Sequence, residues 1–138
     1  MTAAESRALG LRFAALLDAD DFAGLEPMLA PGCAYETGRG TLTRPSAIVA
    51  SYREASERAR AHFEAVRYDS EVVEAGKGFA VILFRDHLEL HRQTHVHRCQ
   101  QRVTFGNGGT VTQIEHRELP GERERWAAFC RRFGVEPG

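Results

Sequence analysis

An α+β fold is predicted by three features of this 138-residue chain. Apolar residues recur with helical spacing through the first half, strand-length segments rich in β-branched and apolar residues fill most of the second, and short glycine-bearing turns separate those strands. Helices first and a curved antiparallel sheet afterwards make one layer packed on another, so a single domain over residues 1–138 is expected, with residues 120–134 as a C-terminal helical extension.

Each element has its own signal. Thr2 and Glu5 have capping-box spacing, and Leu9, Phe13, Leu16 and Leu17 then share one helical face. In DADDFAGLEPMLAPG, Asp20 or Asp21 can cap a second helical segment carrying Phe22, Leu25 and Leu29, with Pro27 forcing a break and Pro31-Gly32 ending it. CAYETGRGTLT reads as two short extended pieces around Gly38 and Gly40. Pro45 suits the first turn of a third helix, whose Ile48, Tyr52, Ala55, Ala59 and Phe63 keep helical spacing to about His62. FEAVRYDSEVVEAG, GFAVILFRDHLELH, THVHRCQQRVTFGN and GTVTQIEHREL follow as four strands of an antiparallel meander, with turn signals at Gly76-Lys77-Gly78 and at Gly106 to Gly109. In GERERWAAFCRRFG, Trp126, Phe129, Cys130 and Phe133 fall on one face before Gly134, which predicts the last helix.

Composition excludes several function classes. With 43% hydrophobic residues, 27% charged residues and a formal net charge of -1, the chain reads as an ordinary globular protein with no nucleic-acid partner. Seventeen arginines against one lysine fit genome composition as well as they fit anion binding. No basic n-region or long apolar run is present, so no membrane partner is expected and the cytoplasm is the expected compartment. Cys33, Cys99 and Cys130 are too far apart for a zinc knuckle and odd in number, which reads as free thiols. Phosphate-loop, nucleophile-elbow and dinucleotide fingerprints are absent, so no cofactor is expected.

Strand faces follow from the turns. Closing the last hairpin at Gly106 to Gly109 pairs Phe105 with Thr110, Val103 with Thr112, Gln101 with Ile114, Cys99 with His116 and His97 with Glu118. The opposite set, Arg98, Gln100, Arg102, Gln113, Glu115 and Arg117, is wholly polar and should face away from the helices. Closing the preceding hairpin at His91 to Thr94 pairs Leu90 with His95, Leu88 with His97, Asp86 with Cys99 and Phe84 with Gln101. A slip of one residue there would turn Asp86 outward and bring Arg85 and His87 in.

The segment RDHLELHRQTHVHRCQQR holds four of the six histidines. His95 and His97 have the H-x-H spacing that puts two rings on one face of a strand, but Gln101 and Arg102 stand where a metal-binding barrel needs a glutamate, and no second histidine motif follows. No metal site is therefore expected. His91 reads as a turn residue and His95 as lying near a pocket rim.

FAALLDADDFAGLEPMLAPGCAYET, RPSAIVASYREA and the strand-rich half ending in TVTQIEHREL together resemble the nuclear transport factor 2-like superfamily, and within it the SnoaL-like group, over residues 5 to 119. The resemblance implies a cone, in which a bent sheet wraps three helices around an apolar pocket, and it implies a homodimer through the outer sheet face. Ketosteroid isomerases of this superfamily carry a catalytic aspartate at the end of the first strand. The matching position here is Thr37, with Glu36 out of phase, so that isomerase chemistry does not carry over residue by residue.

On the expected inner face Asp86, His97, Cys99, Gln101, His116 and Glu118 converge among Phe84, Leu88, Val103 and Ile114, the composition of a small-molecule site. Tyr35 and Thr37 project to one side of the first short strand, and Tyr52 and Trp126 can line the pocket or pack in the core. Asp86, Cys99 and His116 are expected to form one row. As an enzyme, Asp86 is the general base and His116 its orienting partner or complementary acid, with Tyr35 and Gln101 holding a substrate oxygen. The expected partner is a small apolar molecule, and the chemistry is isomerisation, cyclisation, dehydration or epoxide opening. The alternative is a non-catalytic binding or dimerisation module whose polar row fixes strand register.

Overall fold

A computed structural model describes residues 1–135. Helix α1 (Ala3–Asp18) opens with the capping box: Glu5 N–H donates to Thr2 Oγ1 at 3.1 Å and Thr2 N–H to Glu5 Oε1 at 3.2 Å. Asp21 caps the single turn α2 (Phe22–Leu25), accepting from Gly24 N–H at 2.9 Å, and Pro27 sits in a following 3₁₀ turn, where it forfeits no needed hydrogen bond. Helix α3 (Pro45–His62) begins on its proline and ends at Phe63, as the spacing predicts.

Six strands form one sheet in the order β2-β1-β6-β5-β4-β3. Four are the meander: β3 (Ala65–Gly76), β4 (Phe79–Leu90), β5 (Gln93–Phe105) and β6 (Val111–Glu118). β1 (Leu29–Glu36) runs parallel to β6, and the two-residue β2 (Thr41–Leu42) folds back on it, so the open, curved sheet is mixed. β1 starts earlier than the sequence suggests, because Pro31 and Gly32 are absorbed in an irregularity between the Leu29–Val111 and Ala34–Gln113 pairs. The layout is the α+β cone: helices pack on the concave face, and α4 (Glu122–Phe133) covers its far end.

Both central hairpins are two residues out of the expected register. Leu90 pairs with Gln93 across a two-residue turn in which His91 (φ 50°) and Arg92 (φ 64°) are both left-handed, the geometry a tight hairpin demands. Leu88 therefore faces His95, Asp86 faces His97, Phe84 faces Cys99 and Ile82 faces Gln101. In the last hairpin Cys99 pairs with Glu118, Gln101 with His116 and Val103 with Ile114, and a bulge beyond Thr104 lets Val111 rather than Thr110 meet Phe105. A shift of two preserves the face of each residue, so Asp86 still points to the helices while Arg85 points outward to Asp69 and Glu71 at 2.6 and 2.9 Å.

Two apolar clusters hold the layers together. The larger joins Phe13, Leu25, Ile48, Ile82, Val103 and Ile114, all wholly buried, between α1, α3 and the sheet. Gly10 permits the closest approach there: a Cβ at that position would lie 2.8 Å from Ala80 Cβ. The smaller joins Phe63, Leu88, Leu90 and Phe129 beneath α4, with Trp126 and Phe133 packed against it. No described helix is long and apolar enough to cross a membrane.

Candidate functional site

Between the two clusters the helices stand off the sheet and leave a cavity of about 210 Å³. α1 and the turn after it contribute Leu17, Asp18 and Asp20, and α3 contributes Tyr52, Ala55, Ser56 and Ala59. The sheet supplies Tyr35, Tyr68, Phe84, Asp86, Cys99, Gln101 and His116, and Phe22 closes the side. The wall is mostly apolar, with polar groups confined to two ends.

At one end Gln101, 3% exposed, is the hub. Tyr52 donates its hydroxyl proton to Gln101 Oε1 at 2.7 Å, which directs the amide nitrogen to Tyr35 Oη at 3.0 Å and His116 Nδ1 at 3.4 Å. A neutral His116 accepting at Nδ1 carries its proton on Nε2. Tyr35 and Tyr52 stack at 5.1 Å, and burial raises both phenols, Tyr35 to about 12, while burial lowers His116. These groups are neutral at physiological pH and act as hydrogen-bonding partners.

At the other end lie the carboxyl groups. Asp20, in the left-handed region at φ 54°, accepts from Ser56 Oγ and from Arg60 Nε, both at 2.9 Å. Asp18 accepts from Ser70 Oγ at 2.5 Å, and burial raises its pKa. Asp86 differs from both: it lines the cavity, and its carboxyl has no hydrogen bond from any described residue. Burial, reinforced by the charge of Asp18, pushes its pKa up to about 7. Cys99 between the two ends is held protonated, its thiol pushed up to about 12 by burial.

Of the residues singled out from sequence, Tyr35, Tyr52, Phe84, Asp86, Cys99, Gln101 and His116 line this cavity. Six others lie elsewhere. Thr37 is a turn residue that donates to Gly40 O at 3.0 Å, Ile114 is wholly buried in the larger core, and Glu118 is exposed and bound to Arg123 at 2.7 Å. Leu88, His97 and Trp126 belong to the region beneath α4, where the Trp126 ring lies 5.4 Å from His97. The expected row of Asp86, Cys99 and His116 is not formed. With Asp86 opposite His97 and His116 opposite Gln101, the one strand between them, β5, sets the pair on a diagonal, four residues apart along it. Asp18, Asp20, Ser56 and Tyr68 were not anticipated. The one available signal was the run Asp18 to Asp21, which holds more carboxylates than helix capping uses.

His95 is buried rather than at a pocket rim, with its ring 4.8 Å from Phe129 and 5.6 Å from Trp126. His95 Nε2 and His97 Nδ1 are buried without hydrogen-bond partners, and among the described residues no group of three or more His, Cys, Asp or Glu is placed to hold a metal ion.

No family model matches the chain, and no curated protein does. Solved structures do match. A protein provisionally named a polyketide cyclase, from Xanthomonas campestris pv. campestris, superposes with a TM-score of 0.68 at 11% identity, covering 91% of this chain and 96% of that one. An epoxide hydrolase of M. tuberculosis described as LEH-like superposes with a TM-score of 0.63 at 13% identity, covering 87% of this chain and 82% of that one. The chain thus shares its fold with these two proteins, in line with the resemblance to the nuclear transport factor 2-like superfamily carried by its sequence. At such identities the likeness carries the fold and not the chemistry.

Proposed function

We propose that this chain is an acid/base enzyme acting on a small molecule with an apolar body, with Asp86 as the group that moves the proton. The observation that carries this reading is a single carboxyl, unclaimed by any described donor, at the wall of an apolar cavity, with its pKa brought to about 7 by burial. Such a group is present in both acid and base forms at neutral pH, the condition under which proton transfer is most effective. Tyr35, Gln101 and His116 at the opposite end are suited to hold a substrate oxygen. Isomerisation, cyclisation, dehydration and epoxide opening all need one proton-transfer group and one oxygen-binding end, and the names borne by the two structural neighbours fall within that range. The cavity is below the common range of about 300–1,000 Å³, so a single-ring substrate is favoured.

The test is turnover of small epoxides and cyclic ketones by the wild type and by Asp86→Asn. A loss of at least about a hundredfold is expected, as for other general acid–base groups. Wild-type turnover in Asp86→Asn would reject the role. A non-catalytic binding module is the second reading, favoured by the diagonal separation of Asp86 and His116; thermal stabilisation by ligands without turnover would select it. The outer sheet face, with its ladder of Arg67, Asp69, Arg85 and His87, is where we propose that two copies pair. A monomeric mass by light scattering at micromolar concentration would refute the pairing.

A further inference from the structure

The charge of the cavity wall is one-sided. Its charged residues are Asp18, Asp20 and Asp86, and no described lysine or arginine lines it. Arg60 compensates Asp20 from the rim at 2.9 Å, and Ser70 supplies Asp18 with one neutral donor. Asp86, half-buried on the cavity wall, receives no hydrogen bond or ion pair from any described residue. The rest of the wall is rich in aromatic residues, Phe22, Tyr35, Tyr52, Tyr68 and Phe84, with Tyr68 paired to Asp86 across the sheet.

We propose that the cavity selects molecules that carry a protonated nitrogen on an apolar body, small ammonium ions seated with the nitrogen at Asp86. This rests on the reading of the cavity as a small-molecule site and names the class of molecule it takes. A carboxylate that the fold has partly stripped of water attracts an incoming cation more strongly than one in bulk solvent, because part of its desolvation was met on folding. The second carboxyl, Asp18, deepens the negative potential and repels any anion. Aromatic faces attract a cation through their ring electrons while accommodating its apolar body. The rim shows this preference in the protein's own side chains: the Arg60 guanidinium carbon lies 5.2 Å from the centre of the Tyr68 ring, and that of Arg53 lies 5.5 Å from the centre of the Phe22 ring.

The experiment compares three probes of one shape at a pH of about 8, where Asp86 is ionised: dimethylbenzylamine as the cation, isobutylbenzene as its neutral isostere, and phenylacetate as the anion. Ligand-observed NMR titration of the intact protein should give the cation at least about tenfold tighter binding than the isostere, roughly 1.4 kcal/mol or more, and no binding of the anion. Asp86→Asn should abolish the cation's advantage over the isostere, bringing the two affinities together. Equal or tighter binding of the isostere to the wild type overturns this inference and leaves the acid/base reading standing. A cation preference that survives in both Asp86→Asn and Asp18→Asn also overturns it. If none of the probes binds, this inference and the small-molecule reading fail together.

Discussion

The cavity and the region under α4 both hold titratable groups that the fold has partly or wholly withdrawn from water, and their surroundings differ. Around Asp86 the helices stand away from the sheet, so an unpaired carboxyl faces open space. Around His95 and His97 the Trp126 and Phe129 rings of α4 close over the imidazoles, and two ring nitrogens are buried without partners. An unpaired polar group costs stability in either place. In the cavity the unpaired group lies on an open wall, whereas beneath α4 aromatic rings lie against it. The two regions also respond oppositely to pH. The pKa of Asp86 is raised from 3.8 to about 7, so its contribution to stability is full below 3.8 and is lost as pH rises through 7. Burial lowers both histidines from 6.5, so their contribution is full above 6.5 and is lost as pH falls below it.

The largest effect is expected from emptying the packed region. Phe129→Ala should cost about 3–5 kcal/mol in urea unfolding, the usual range for a buried phenylalanine. A loss under about 1 kcal/mol would mean that α4 is not docked. Asp86→Asn should go the other way, raising stability at pH 8 by about 2–4 kcal/mol and leaving it nearly unchanged at pH 4. Equal effects at both pH values would show that the carboxyl is not held near neutrality. His95→Phe should add about 1–2 kcal/mol at pH 7 by removing an unpartnered nitrogen, and the gain should grow as pH falls below 6.5. A gain that shrinks on acidification would reverse the sign assigned to this region. The smallest effect belongs to the turn beneath α4: Arg92→Gly relieves a left-handed non-glycine residue and should add about 0.5–1 kcal/mol by thermal unfolding.

The element order was legible because helix and strand periods alternate cleanly along the chain, and the inward orientation of Asp86, Gln101 and His116 was legible because apolar neighbours mark the same face. The pairing partners were not. His91-Arg92 lacks the glycine or asparagine that announces a tight hairpin, so a longer loop was expected and the register moved by two residues. That shift leaves every face intact and still removes the Asp86–Cys99–His116 row, which depended on partners rather than faces. The acidic end of the cavity was hidden for another reason: Asp18 and Asp20 belong to a helix end, where carboxylates are ordinarily capping or solvent groups.

The parallel pairing of β1 with β6 has a consequence for how the molecule forms. The meander from β3 to β6 can zip up through near neighbours, but Tyr35 meets Ile114 only after every strand between them has been synthesised. Such a contact closes a long loop, which slows its formation and delays its stabilising return. Tyr35 and His116 therefore come together late, and a nascent chain stalled before β6 would lack both His116 and the strand that holds Tyr35 in the sheet.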